Sequence, residues 1–189
     1  MAGRRRSQDG GLSGTDRSGS ARASESQRIA AVPAAGGTHP WSQGPFVAEG
    51  LLTTVRGIAD TGFLVAFANR TDRHHDWAVR VAEQVTEPLL TCETVLAEAA
   101  FHLRSVPLVL SMLRDGMVTL AFDCREHLSQ LAELAARYDD RHPDLADLCL
   151  IRLSELHPRH SVITVDREDF RVYRRNKRET IPLICPPAR

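Results

Sequence analysis

The chain has 189 residues, enough for one domain with some excess, and its 24 basic and 24 acidic residues cancel. With a formal net charge of zero, bulk electrostatics point to neither a nucleic acid nor a membrane surface. The four cysteines (Cys92, Cys124, Cys149, Cys185) stand far apart with no Cys-x-x-Cys pair, which argues against a zinc knuckle or disulfide scaffold and fits reduced thiols in a cytoplasmic protein.

Residues 1–54 are rich in Gly, Ser, Arg and Ala and nearly free of large aliphatics, so they cannot bury enough apolar surface to offset chain entropy. They read as a disordered tail or as the product of a start codon placed too far upstream. Trp41 and Phe46 are the only large aromatics in that stretch, and no signal-peptide core follows Arg4-Arg5-Arg6. The globular pattern starts at Val55, giving a domain over 55–189.

That domain opens with a strand over Gly57–Asp60 and a short helix through Phe67, both cut from the run Ile58-Ala59-Asp60-Thr61-Gly62-Phe63-Leu64-Val65-Ala66-Phe67. The run is far too short to span a membrane. A helix over 74–86 follows, with Trp77, Val81 and Val85 inward, then a strand at Leu89-Leu90-Thr91 and a helix over 93–104. Another helix covers 106–115, with Pro107 in its first turn and Gly116 beyond its end. Val118–Phe122 is β-rich. Glu126–Tyr138 is an amphipathic helix with Leu128, Leu131, Leu134 and Ala135 inward, and a helix after Asp144 runs to about Leu156. Ser161–Val165 is an apolar strand ending in Asp166, and 181–184 is an edge strand, since Pro182 offers no N–H. Strands alternating with helices predict a three-layer α/β/α sandwich with a mainly parallel sheet.

Acidic residues recur beside apolar elements. Asp60 and Asp166 each follow an apolar strand, and in a parallel sheet both strand ends lie on one rim, where ligands bind in open α/β sheets. Glu98 lies about 60° from Val95 on its helix, at the margin of the buried stripe. Asp144 and Asp147 open a helix whose next turn, Leu148 and Ile151, is apolar. Each has a plainer reading: Asp60 and Asp166 as turn-formers, Glu98 as surface, Asp144 as an N-cap with Asp147 favourable to the helix dipole. Gathered carboxylates repel one another, and a hard divalent cation relieves this; oxygen-only donors without paired His or Cys select Mg²⁺ or Mn²⁺. Such a site suits phosphoryl chemistry.

A strand ending Asp60-Thr61-Gly62, then Leu64-x-Ala66-x-x-Asn69, Leu96-Ala97-Glu98, Asp144-Leu145-Ala146-Asp147 and Val162-Ile163-Thr164-Val165-Asp166-Arg167-x-Asp169-Phe170 together resemble a PIN domain over about residues 56–185, most of all the VapC-type toxin ribonucleases. The resemblance implies catalytic, metal-holding acids at Asp60, Glu98, Asp147 and Asp166, with Asp144 an additional acid beside them. It also implies accessory hydroxyls at Thr61 and Thr164, and Phe170 as packing. It implies Mg²⁺- or Mn²⁺-dependent endonucleolytic cleavage of RNA, with the protein acting as the toxin of a toxin–antitoxin pair, a homodimer with a cognate antitoxin. The alternatives are a nuclease on another nucleic acid outside such a pair, or a non-catalytic PIN-like module that binds RNA or a partner.

Asp60-Thr61-Gly62 also spells the aspartic-protease signature, but those enzymes are β-rich and pair two such loops, whereas this chain has one loop and at least five helices. His74, His75 and His102 are able to act as ligands, and His102 lies one turn beyond Glu98; His157 and His160 look like loop residues. The basic run 167–178 offers Arg167, Arg171, Arg174 and Arg175 to an RNA backbone or an antitoxin carboxylate, and Tyr173 as a base-stacking ring; solvated surface charge is the plain alternative.

Overall fold

In this computed structural model, which describes residues 55–188, the strand β1 (Gly57–Ala59) lies at the centre of a five-stranded parallel sheet. The tail over 1–54, with Trp41 and Phe46, lies outside the described residues. β1 continues into α1 (Thr61–Ala68) and α2 (His75–Ala82), and the chain returns as β2 (Leu89–Thr91) beside β1. α3 (Glu93–Leu103) and α4 (Val106–Arg114) lead to β3 (Val118–Leu120) at the edge beyond β2. After a 3₁₀ turn at Cys124–His127, α5 (Leu128–Arg137) and α6 (Leu145–Leu156) carry the chain back across β1 to β4 (Ser161–Ile163). α7 (Arg167–Val172) and a small hairpin of β5 (Arg174–Arg175) and β6 (Glu179–Thr180) precede β7 (Leu183–Ile184), the other edge.

The spatial order is therefore β3-β2-β1-β4-β7. The chain builds outward from β1 on one side, then crosses and builds outward on the other. That reversal falls between β1 and β4, so their carboxyl ends flank the crevice that open α/β sheets use for ligands.

All three residues of β1 are buried, as are Val162 and Ile163 in β4. Successive strand side chains face opposite ways, so this burial requires helices on both faces and produces the three-layer α/β/α sandwich. α6 is buried nearly all round, at Ala146, Leu148, Cys149, Leu150, Ile151, Leu153 and Ser154. α1 contributes Phe63 and Leu64, and α3 contributes Val95, Leu96, Ala99 and Leu103. Gly57 has no room for a side chain: a Cβ there would run into Ile163 and Leu89 from the neighbouring strands. No helix among the described residues is long and apolar enough to cross a membrane.

Several details differ from expectation. α2 stops at Ala82 and not at 86, because Val85 leaves the helix to form an isolated parallel bridge with Val55. Leu128 is 62 % exposed, since α5 begins at that residue and its packed stripe starts at Leu131. The β5–β6 hairpin was not foreseen; Asn176 and Lys177 both adopt positive φ (47° and 70°) and Arg178 N–H donates to Arg175 C=O at 3.2 Å, a type I′ turn. The four cysteines are free, with Cys92 and Cys149 buried and Cys124 Sγ 3.5 Å from Cys149 Sγ.

Candidate functional site

Asp60 is the residue at which β1 becomes α1. Its backbone is extended (φ −89°, ψ 159°) and it caps the helix, with Oδ1 accepting from Thr61 N–H at 2.6 Å. The plain, turn-forming reading of Asp60 thus holds for its backbone and for Oδ1. The second oxygen, Oδ2, accepts from the hydroxyl of Thr164 at 2.6 Å. Thr164 is fully buried just beyond β4, and its oxygen in turn accepts from Asp166 N–H at 2.9 Å. The backbone ladder continues here, with Asp60 N–H donating to Ile163 C=O at 3.1 Å. The two strand ends at the switch point are therefore bonded to each other through the carboxylate.

Thr61, the first residue of α1, is buried and donates from Oγ1 to Glu98 Oε2 at 2.9 Å; Val95 C=O lies farther, at 3.5 Å, so the single hydroxyl proton belongs to Glu98. This bond ties α3 to the end of β1. Burial pushes the Asp60 carboxyl up to about 6 against the pull of its three hydrogen bonds, and the charge of Glu98 pushes the same way.

Asp147, in the first turn of α6, is half-buried, and its carboxyl rises to about 7. Burial is the largest cause, the charge of Asp144 the next, and Asp60 also contributes. A hydrogen bond from Tyr173 OH to Asp147 Oδ2 at 3.1 Å works in the opposite direction. The Tyr173 phenol is itself pushed well up by burial and by Asp147, so it stays a donor.

Asp60, Glu98 and Asp147, with Thr61 and Thr164, are thus brought into one neighbourhood. Asp144 and Asp166 are placed differently. Asp144 is exposed and caps α6, accepting from Asp147 N–H at 2.8 Å. Asp166 is exposed and caps α7, accepting from Asp169 N–H at 3.1 Å, and joins Asp60 only through Thr164. Asp169 was read from the sequence only as part of an Asp-Phe step. Its carboxyl is raised by burial, then by Asp166 and Asp144, while Arg141 lowers it, so it extends the acidic rim between α6 and α7. Two consecutive caps with acids in the first turn were the available signal.

The basic run is largely occupied with holding its own backbone. Arg167 donates to Pro186 C=O at 2.8 Å. Arg174 donates to Arg171 C=O at 2.6 Å and Tyr173 C=O at 2.8 Å. Arg175 donates to Pro158 C=O at 2.9 Å and pairs with Glu179 at 3.1 Å. Arg171 is exposed and only 3.8 Å from Glu168. Tyr173 is 2 % exposed, which removes it as a base-stacking platform. His75 Nδ1 lies 2.9 Å from Ala66 C=O, His160 Nε2 lies 3.5 Å from Glu87, and His102 packs edge-on to Phe101.

Comparison with known families matches residues 58–176 to the PIN domain, from β1 through the hairpin turn. The chain belongs to the PIN family. Comparison with curated proteins gave no match. PIN domains are generally divalent-metal-dependent nucleases, which makes a nucleic acid the substrate class. In donor type and charge the acids here fit such an ion: they are hard oxygens, partly desolvated, and the charges that bear most on Asp60 and Asp147 are other carboxylates. Among the described residues no group of three or more acids, His or Cys stands close enough, as the side chains are placed, to hold a metal ion.

Proposed function

We propose that this PIN domain is an endoribonuclease that hydrolyses RNA phosphodiester bonds with a divalent cation and acts as the VapC-type toxin of a toxin–antitoxin pair. One observation carries the catalytic part. Asp60, a partly buried carboxylate at the β1/β4 switch point, is held by Thr61 and Thr164 while burial, and after it the charge of Glu98, pushes its proton affinity up. Asp60, Glu98 and Asp147 would hold Mg²⁺ or Mn²⁺, with Asp166 as the fourth acid of the family pattern and Asp144 beside them. A bound ion supplies positive charge to the phosphate and acidity to water. The protein's own contribution is orientation: Thr164 fixes one oxygen of Asp60, Thr61 fixes one oxygen of Glu98, and both threonines are buried.

Partner binding has separate support. Phe101 is 79 % exposed on α3, and Val106 and Leu110 are 58 % and 57 % exposed on α4, the helix packed against it. Apolar side chains presented this way favour a covering surface, either a second copy or an antitoxin segment. Exposed Arg171 is available to phosphate or to an antitoxin carboxylate.

Single-stranded RNA and DNA of the same sequence, incubated with the purified chain and Mg²⁺ or Mn²⁺, test this reading. RNA cleavage that stops with EDTA and in Asp60→Asn is the expected result. Cleavage confined to DNA would assign a different nuclease. The absence of a ready-made group of three ligands among the described residues favours one further reading, a non-catalytic module that binds RNA or a partner. Calorimetry with no Mn²⁺ heat, together with retained RNA binding, would establish that instead.

A further inference from the structure

Tyr173 OH is the one side-chain group hydrogen-bonded to the Asp147 carboxylate among the described residues, and the fold goes to some length to put it there. The ring is buried in an aromatic cluster, edge-on to Phe170 (5.6 Å, 86°) and tilted to Tyr138 (5.0 Å, 67°). Phe170 comes from α7 and Tyr138 from the C-terminal cap of α5, so the ring is held between two separate elements. The next peptide is clamped as well: Tyr138 OH accepts from Arg174 N–H at 2.8 Å and lies 3.4 Å from Arg174 C=O. A buried phenol must find a partner for its hydroxyl. A core position that needed only packing would be served by phenylalanine, as position 170 is.

We propose that Tyr173 is a positioning residue for Asp147: its hydroxyl engages Oδ2 and so fixes the carboxylate's rotation, leaving Oδ1 as the oxygen that meets a cation. Asp147 sits in the first turn of α6 with Asp144 and Asp169 nearby, and their repulsion would otherwise turn the side chain outward to solvent. A neutral donor anchored in the core opposes that rotation without adding a competing positive charge. Groups that orient a ligand in this way typically govern metal affinity by about 10- to 100-fold.

The inference rests on the metal-dependent reading of the site, and the test separates the two. Mn²⁺ binding to the full chain is measured by calorimetry for wild type, Tyr173→Phe, Asp147→Asn and the double variant. Thermal midpoints of the metal-free proteins are recorded alongside, and kcat and KM on single-stranded RNA as a second readout. Phenylalanine keeps every ring contact, so the fold is retained. The expected result is a loss of Mn²⁺ affinity of about tenfold or more in Tyr173→Phe, with no further loss when it is added to Asp147→Asn. A lower midpoint with unchanged Mn²⁺ affinity would overturn the proposal and leave Tyr173 a core residue. An equal loss of affinity in the Asp147→Asn background would overturn it too, because the hydroxyl would then act elsewhere. If wild type binds no Mn²⁺, the metal-dependent reading fails and takes the proposal with it.

Discussion

The hydroxyl of Thr164 donates to Asp60 Oδ2 at 2.6 Å across 104 residues of chain. Because the same oxygen accepts from Asp166 N–H, one buried side chain sets both the carboxylate that follows β1 and the turn that follows β4. Valine has nearly the shape of threonine but neither donates nor accepts. Thr164→Val should therefore cost about 2 kcal/mol, the range for stranding buried polar groups, and weaken Mn²⁺ binding. Serine keeps the hydroxyl and should restore the affinity. Urea unfolding and Mn²⁺ calorimetry on both variants check this; equal Mn²⁺ affinity in Val and Ser variants would contradict it.

Asp60→Asn should separate function from stability. Burial works against the charged carboxylate, so removing that charge relieves a cost while an amide oxygen still accepts from Thr61 N–H. The expected outcome is a metal-free thermal midpoint equal to or above wild type, with RNA cleavage lost. Such a trade is common where a site is strained for its chemistry. A midpoint well below wild type would mean that the carboxylate is structurally required.

The raised carboxyls of Asp60 and Asp147 predict the pH dependence of the metal-free protein. Both fold to values above an ordinary aspartate, near 6 and 7. Below pH about 4 both carboxyls are protonated in folded and unfolded chains alike, and neither costs anything. Between about 4 and 7 the unfolded chain ionises first, so stability falls as pH rises, and it levels off above the folded values. For Asp60 the shift corresponds to roughly 3 kcal/mol as an upper bound; Asp147, nearer solvent, contributes less. Urea unfolding in EDTA at pH 4.5 and 7.5, with Asp60→Asn as the subtraction, measures it. Added Mg²⁺ should recover stability at the higher pH. A difference that grows in favour of wild type with rising pH would have the wrong sign.

Gly62→Ala tests the close approach beneath the site. In a helix interior alanine is ordinarily favoured over glycine by about 1 kcal/mol. Here a Cβ would lie 2.5 Å from Val165 Cγ2 and 3.5 Å from Asp60 Oδ2. Val165 is β-branched and stiff, so the contact cannot be relieved by a simple side-chain swing. Overpacking should win, with a net loss of about 1–3 kcal/mol and reduced cleavage. A gain in stability, read from urea midpoints, would show that the segment carrying Val165 yields.

Much of the architecture was legible because it is written in local patterns. Leu89–Thr91 and the 93–103 helix follow directly from short apolar runs and 3.6-residue spacing, and Pro107 and Gly116 mark the bounds of α4. Leu128 misled because periodicity says which face is apolar but not where the covering surface ends. The hairpin at Asn176-Lys177 was illegible for a related reason: lysine at positive φ is a conformation that its context imposes.

From the sequence alone came the alternation of strands and helices, the parallel sheet, and the acids at its carboxyl rim, since each depends on neighbours within a turn or a strand. Which acids face each other was decided only by the tertiary structure. Asp60 meets Glu98 through Thr61, while Asp144 and Asp166 spend an oxygen each on helix caps. Tyr173 looked like a surface ring in a basic run and is instead enclosed and bonded to Asp147. Side-chain rotation and partnership at a sheet rim depend on contacts tens of residues apart, and no local periodicity encodes those.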